Sequence, residues 1–205
     1  MNPSLSTPWE PVLEYWFGDS LSRGWPARSR NGLWFRADDT VDRSIAELFG
    51  HFVDAALFSE LVEWEADPHG RLALVLLLDQ FPRNIYRGTA RAFAGDHRAV
   101  TLVSEGLARG MDRQLPWIGR VFFYMPLMHA EDLSLQDRCL RCFEGLRADM
   151  PEELSGEVEG NIAFAREHRE LIARFGRFPY RNAVLERDST EEERQWLEHG
   201  ARYGQ

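Results

Sequence analysis

The sequence predicts an all-α fold in a single domain over residues 1–205, built either as a bundle or as a short solenoid of helix pairs. Three observations carry this expectation. Apolar residues recur three and four apart, most plainly at Val41, Ile45, Leu48, Phe49, Phe52, Val53 and Ala56, which is the spacing of one helix face. Capping residues, prolines and glycines mark off segments of about 10–20 residues, the usual length of a globular helix. No pair of alternating β-branched runs is joined by a hairpin turn. A chain of 205 residues that is 44% hydrophobic has enough apolar surface for one sizeable core.

The elements follow in order. Thr7-Pro8 offers an N-cap and a proline at the first helical position. Val12, Leu13, Trp16 and Phe17 form the stripe behind it, and Gly18 stops it. Residues 19–33, rich in Ser, Arg, Gly and Pro, read as a loop. Asp38-Asp39 caps the next helix. Asp67-Pro68 opens another, containing the uninterrupted apolar run Leu72 to Leu78. A run apolar on all sides marks a central helix, expected to end near Phe81-Pro82 because proline disfavours a helical residue before it. Asp96 opens a helix through Leu107, closed by Gly110. Pro116 starts one through Tyr124, with Pro126 expected to bend or break it. Ser134 is expected to cap a helix through Arg147, and a long helix covers about 153–175 with Gly176 as its C-cap. Two overlapping capping boxes, Ser189 with Glu192 and Thr190 with Glu193, open a last short helix carrying Trp196 and Leu197. The total is about eight or nine helices.

Charge and composition exclude several functions. Twenty-four basic residues against 33 acidic ones leave a net charge of −9, and all 24 are arginine. Without lysine there is no Walker-type phosphate loop, no kinase and no Schiff-base chemistry. The acidic balance argues against nucleic-acid binding, which rests on neutralising phosphates. The longest apolar run has seven residues, well short of the roughly 20 that span a bilayer. Met-Asn-Pro-Ser-Leu-Ser-Thr-Pro-Trp does not resemble a signal peptide, and two cysteines make no disulfide framework. The expectation is a cytoplasmic protein with no membrane partner, no cofactor and no metal, its oligomeric state left open.

One local pattern occurs twice. Asp79-Gln80-Phe81-Pro82-Arg83-Asn84-Ile85-Tyr86-Arg87-Gly88-Thr89 is echoed by Arg174-Phe175-Gly176-Arg177-Phe178-Pro179-Tyr180-Arg181-Asn182, followed by Arg187-Asp188-Ser189-Thr190. Both copies follow a strong helix and fall in arginine-rich stretches of an otherwise acidic chain. Arginine presents planar donors that fit a carboxylate or phosphate, and a helix start at Thr89 or Ser189 would add backbone donors. Asp79, Arg83, Asn84, Arg87, Arg177, Arg181, Asn182 and Arg187 are therefore candidate ligand-binding residues for an anionic small molecule or an acidic peptide. The competing reading is structural: these arginines pair with carboxylates, Asp79 being a ready partner for Arg177 or Arg181.

His129-Ala130-Glu131-Asp132 can supply a general acid and base, and His168 lies on the long helix before the second copy. His129, Glu131 and His168 are the candidate catalytic residues, although a histidine at such a position can simply bond a backbone group. Cys139-x-x-Cys142 lies within a predicted helix and has no second pair, so it reads as two packed thiols rather than a zinc or redox site.

At these segments the sequence resembles an uncharacterised, mostly bacterial family, domain of unknown function 924. The resemblance rests on Val12-Leu13-Glu14-Tyr15-Trp16-Phe17-Gly18, Trp34-Phe35, Leu72 through Asn84, Tyr124 through Asp132, and Arg174 through Asn182. It implies a right-handed superhelix of helix pairs similar to tetratricopeptide-repeat proteins, and no particular activity. It also implies that His usually stands at the position of Tyr180 and Gly at that of Glu186.

Three functions are expected in turn. The first is a binding protein whose arginines clamp an anion. The second is a metal-independent hydrolase or lyase acting on a phosphate or carboxylate substrate, with His129 or His168 moving a proton and Glu131 or Asp79 orienting it. The third is a docking scaffold using Trp9, Trp16, Phe17, Trp34 and Phe35.

Overall fold

In the computed structural model, which describes residues 7–200, every regular element among the described residues is helical. The eight longer helices are α1 (Glu10–Phe17), α2 (Asp39–Leu57), α3 (starting at Pro68–Val75), α4 (Asp96–Ala108), α5 (Trp117–His129), α6 (Leu133–Asp149), α7 (Glu159–Phe175) and α8 (Glu191–Leu197). The stretch expected as a loop contains two single-turn helices, Ser20–Arg23 and Asn31–Trp34. The first helix begins at Glu10 rather than beside Thr7, whose carbonyl accepts the Glu10 N–H.

α3 is the central rod, and it does not stop at Phe81-Pro82. It passes through a π-helical turn, Leu76–Gln80, and resumes as Phe81–Ile85. Proline has no N–H to give the carbonyl four residues back. The Phe81 N–H instead bonds the Leu76 carbonyl, five residues back, and the widened turn carries the rod past Pro82. Every residue from Gly70 to Pro82 is buried. Each such Leu or Phe contributes about 1.5–3 kcal/mol by leaving water, which sustains the irregular turn.

α5 behaves in the same way. Pro126 lies inside it, yet the helix runs on to His129. All residues from Ile118 to Met128 are buried, so packing against α4, α6, α7 and α3 outweighs the roughly 3 kcal/mol cost of an interior proline. The cap of α6 is Asp132, not Ser134: its carboxylate accepts the Ser134 and Leu135 N–H groups at 2.8 and 3.0 Å. The long helix expected over 153–175 is broken into Glu152–Ser155, the 3-10 turn Gly156–Val158 and α7. Of the two possible capping boxes before α8, only Thr190 with Glu193 forms.

One continuous core runs from Val12 to Ala165, with a smaller cluster of Leu171, Ile172 and Phe178 behind α8. α3 lies against α1, α2, α4 and α5. From α4 to α7 each helix packs on its successor. The π turn of α3 and the C-terminal end of α5 come together at one end of this core, which brings Asp79 to His129.

Candidate functional site

Asp79 sits in the π turn and is fully buried. Its carboxylate accepts the Nδ1 proton of His129 at 2.8 and 3.0 Å, the Gln80 amide at 2.5 Å, and an ion pair from Arg83 at 3.1 Å. Arg83, one turn along α3, also reaches Asp96 with both terminal nitrogens, at 2.8 and 2.9 Å. Asp96 opens α4. Gly95 before it lies so close to α3 that a Cβ there would stand 2.2 Å from the Leu78 carbonyl oxygen.

Arg181, from the second copy of the repeated pattern, approaches the same Asp96 at 3.5 Å. Its Nη1 donates to the His129 carbonyl at 3.0 Å. The guanidinium is stacked between the rings of Phe93 and Phe178, 4.7 and 4.5 Å from their centroids. The two copies therefore do meet, and they meet around His129. Asp79 pairs with Arg83 and His129, not with Arg177 or Arg181.

The remaining residues of the second copy form a separate network. Glu131 accepts both terminal nitrogens of Arg187, at 2.6 and 2.9 Å, and the Phe178 N–H at 2.8 Å. It does not orient a histidine. Arg187 also bonds Asn182, which in turn bonds Ser189 and Glu193. Arg177 pairs with Glu193 at 2.7 and 2.8 Å. These bonds pin the segment after α7 onto the domain. In the first copy, Asn84 and Arg87 both hold Asp42 of α2. The Thr89 hydroxyl bonds the Tyr86 carbonyl, and the element it precedes is a four-residue 3-10 turn.

Beside His129 opens a cleft of about 970 Å³, lined from the site side by Gln80, Arg83, Asn84, Arg87, His129 and His168. Asp79, Glu131, Arg177, Arg181, Asn182 and Arg187 do not line it. His168 lies with its ring centroid 6.4 Å from that of His129, and its Nδ1 donates to the Phe164 carbonyl at 2.8 Å. Phe178 packs edge-on against it.

Burial and charge set the protonation states. Burial pushes His129 below the usual imidazole range; Asp79 opposes this, and the Arg83 and Arg181 cations reinforce it. Burial, with His129 nearby, pushes His168 down to about 4. Asp79 resists its own burial because Arg83 and His129 hold its carboxyl well below the usual carboxylate range. At neutral pH both imidazoles are uncharged. The Nδ1–H of His129 is committed to Asp79, so its Nε2 carries the lone pair.

Several participants were not signalled by the sequence as site residues. Asp96 reads as a helix start and Gln80 falls in the repeated pattern without being singled out, while Phe93 has no motif. Arg30, which also lines the cleft, falls in the stretch read as loop, and Arg36, on the same lining, lies just past it. Of the N-terminal aromatics, Trp16, Phe17 and Trp34 belong to the core, and Phe35 is exposed. Cys139 and Cys142 are free thiols on α6, the first buried. Among the described residues no group of three or more His, Cys, Asp or Glu side chains could hold a metal, and no helix is long and apolar enough to cross a membrane.

A family model for a bacterial protein of unknown function, DUF924, matches residues 12–201. The chain belongs to the DUF924 family. A solved structure of a protein of unknown function from Agrobacterium tumefaciens is similar to it throughout: 37% identity over 94% of this chain and 97% of that one, with a TM-score of 0.77. Among curated proteins none matches. At the position where the DUF924 resemblance leads one to expect His, Tyr180 stacks on Phe178 with centroids 5.3 Å apart. Where it leads one to expect Gly, Glu186 adopts φ 53°, a left-handed conformation that glycine takes most easily.

Proposed function

We propose that this chain is a metal-independent enzyme, most simply a hydrolase, in which His129 is the general base and Asp79 orients it. The observation that carries this reading is the Asp79–His129 hydrogen bond on the wall of a large cleft. A neutral imidazole held by a buried carboxylate is the arrangement that activates a proton donor at Nε2. As the oxygen of a water molecule bonds to the electrophilic carbon or phosphorus of the substrate, Nε2 takes the proton. Asp79 stabilises the resulting imidazolium, and the proton passes to the leaving group as its bond breaks. A lyase would use the same base on a substrate C–H. Arg83 and Arg87 line the cleft beside it, and Arg83 also helps hold Asp79 ionised.

The binding-protein reading is weaker because its clamp is already neutralised. Arg83 faces Asp79 and Asp96, Arg87 faces Asp42, Arg177 faces Glu193, and Arg187 faces Glu131. We also read the helix order as a right-handed superhelix of helix pairs, which the packing of successive helices supports, and the setting as cytoplasmic, where free thiols such as Cys139 and Cys142 are common.

The test is a panel of p-nitrophenyl acyl esters and phosphomonoesters assayed with the wild type and His129→Ala. Turnover that disappears in the variant supports the reading. A panel with no His129-dependent turnover would return the cleft to a binding role.

A further inference from the structure

The cleft carries, at Arg30, a positive charge that no ion pair answers among the described residues, and one carboxylate, Glu157, also lines it. Arg30 and Arg36 both line it. Arg30 reaches the last carbonyls of α1: its Nε donates to Trp16 at 3.1 Å and its Nη2 to Tyr15 at 2.9 Å. These two bonds fix the guanidinium plane while using only neutral acceptors. The charge is left uncompensated, and among the described residues the Nη1 group donates to nothing. Arg30 forms no ion pair among the described residues, while Arg36 has Asp38 nearby and, after the backbone N–H groups of Thr40 and Val41, helps hold that carboxyl below its usual value. Arg83 and Arg87, which also line the cleft, are matched by Asp79, Asp96 and Asp42.

Arg30 shares the cleft with apolar side chains as well as with Ser29 and Asn31. Phe122 and Met125 of α5 line it together with Trp34. Phe35, 57% exposed, stacks on Phe122 with planes 6° apart, and Phe164 of α7, 52% exposed, lines the same cleft. A large aromatic left in water is informative when it borders a cavity, and two of them border this one. A cavity of this size suits a small organic molecule, with a few polar groups fixing its orientation.

We propose that the substrate is a carboxylate with an aliphatic or aromatic body, its carboxylate seated on Arg30 with Arg36 beside it and its body lying on Phe35 and Phe164. A planar guanidinium already fixed by other bonds loses little freedom on receiving a carboxylate. The assignment rests on the reading of the cleft as a substrate site, but it draws on different residues from the base.

Titration calorimetry of the full chain with octanoate, octanamide, octyl phosphate and acetate tests it. Octanoate is expected to bind at least tenfold more tightly than octanamide, which has the same body without charge. It should also exceed acetate by at least tenfold. Arg30→Gln and Arg36→Gln should each shrink the octanoate–octanamide difference several-fold, and thermal melts will show that the variants are folded. Equal affinity of the wild type for octanoate and octanamide would overturn the charge assignment whatever the variants do. Acetate binding as tightly as octanoate would overturn the apolar body, and a preference for octyl phosphate would overturn the carboxylate. Octanoate binding without His129-dependent turnover keeps this assignment and removes the base. Turnover that needs His129 but ignores Arg30 does the reverse.

Discussion

Asp79 accepts the Nδ1 proton of His129 through both carboxylate oxygens, at 2.8 and 3.0 Å. That geometry fixes which nitrogen of His129 faces the cleft unprotonated. Asp79→Asn should therefore lower any His129-dependent rate by on the order of 10³–10⁴-fold, because an amide can reverse the tautomer and cannot stabilise the imidazolium. Long-range ¹H–¹⁵N spectra of labelled histidine check this independently of activity. The wild type should show a protonated Nδ1 and a bare Nε2 at neutral pH, and a wild-type spectrum with Nε2 protonated would refute the assignment.

His129 titrates below the ordinary imidazole value. A base is active when deprotonated, so the rate should rise with pH through an inflection below about 6.5 and then level off through neutrality. A rate still climbing steeply above pH 7 would point to another group.

His168 is held to about 4, chiefly by burial. Its folded value lies below its unfolded one, so the unfolded chain binds more protons between about pH 6.5 and 4. Stability should fall as pH drops through that window, by up to roughly 3 kcal/mol from this residue. Denaturant melts of the wild type and His168→Asn at pH 7 and pH 4.5 should show a smaller loss in the variant.

Glu193 titrates at about 2, held down first by its hydrogen bond from Arg177. A lowered carboxylate value contributes stability above about pH 4.5 and loses it as pH falls towards 2. Glu193→Gln should loosen α8 at neutral pH, and faster amide exchange across residues 190–197 is the readout. Unchanged exchange would mean the network around Asn182 holds without it.

Gly95→Ala places a methyl 2.2 Å from the Leu78 carbonyl oxygen. Backbone cannot yield as a side chain can, so α4 must shift and draw Asp96 away from Arg83 and Arg181. A stability loss of about 1–3 kcal/mol is expected, measured by denaturant unfolding, with a parallel fall in His129-dependent rate.

Most of the architecture was legible in the sequence because periodicity and capping are local. Val41 to Ala56 and Leu72 to Leu78 announce their helices directly. Pro82 and Pro126 misled, because the cost of a proline inside a helix is also local while the burial that outweighs it comes from neighbouring helices. The site was legible in part. The two copies of the Phe-Pro and Arg-Asn pattern do come together, Arg83 and Arg181 both reaching Asp96 beside His129. Their partners could not be read: Asp79, Asp96 and Glu131 are equivalent carboxylates until the fold assigns each to a cation. Arg30 was missed because its significance lies in lacking a carboxylate, a property of space and not of spacing.

The π turn in α3 has a consequence for the whole end of the molecule. It holds one residue more than an α turn, which advances everything after it by about 100° of rotation. The turn Phe81–Ile85, which carries Arg83 and Asn84, is thus out of phase with the rod before Leu76. Deleting a single residue from Leu76–Gln80 would leave the composition of the site almost intact while turning its arginines towards the wrong neighbours, so the function is written partly in the phase of one helix.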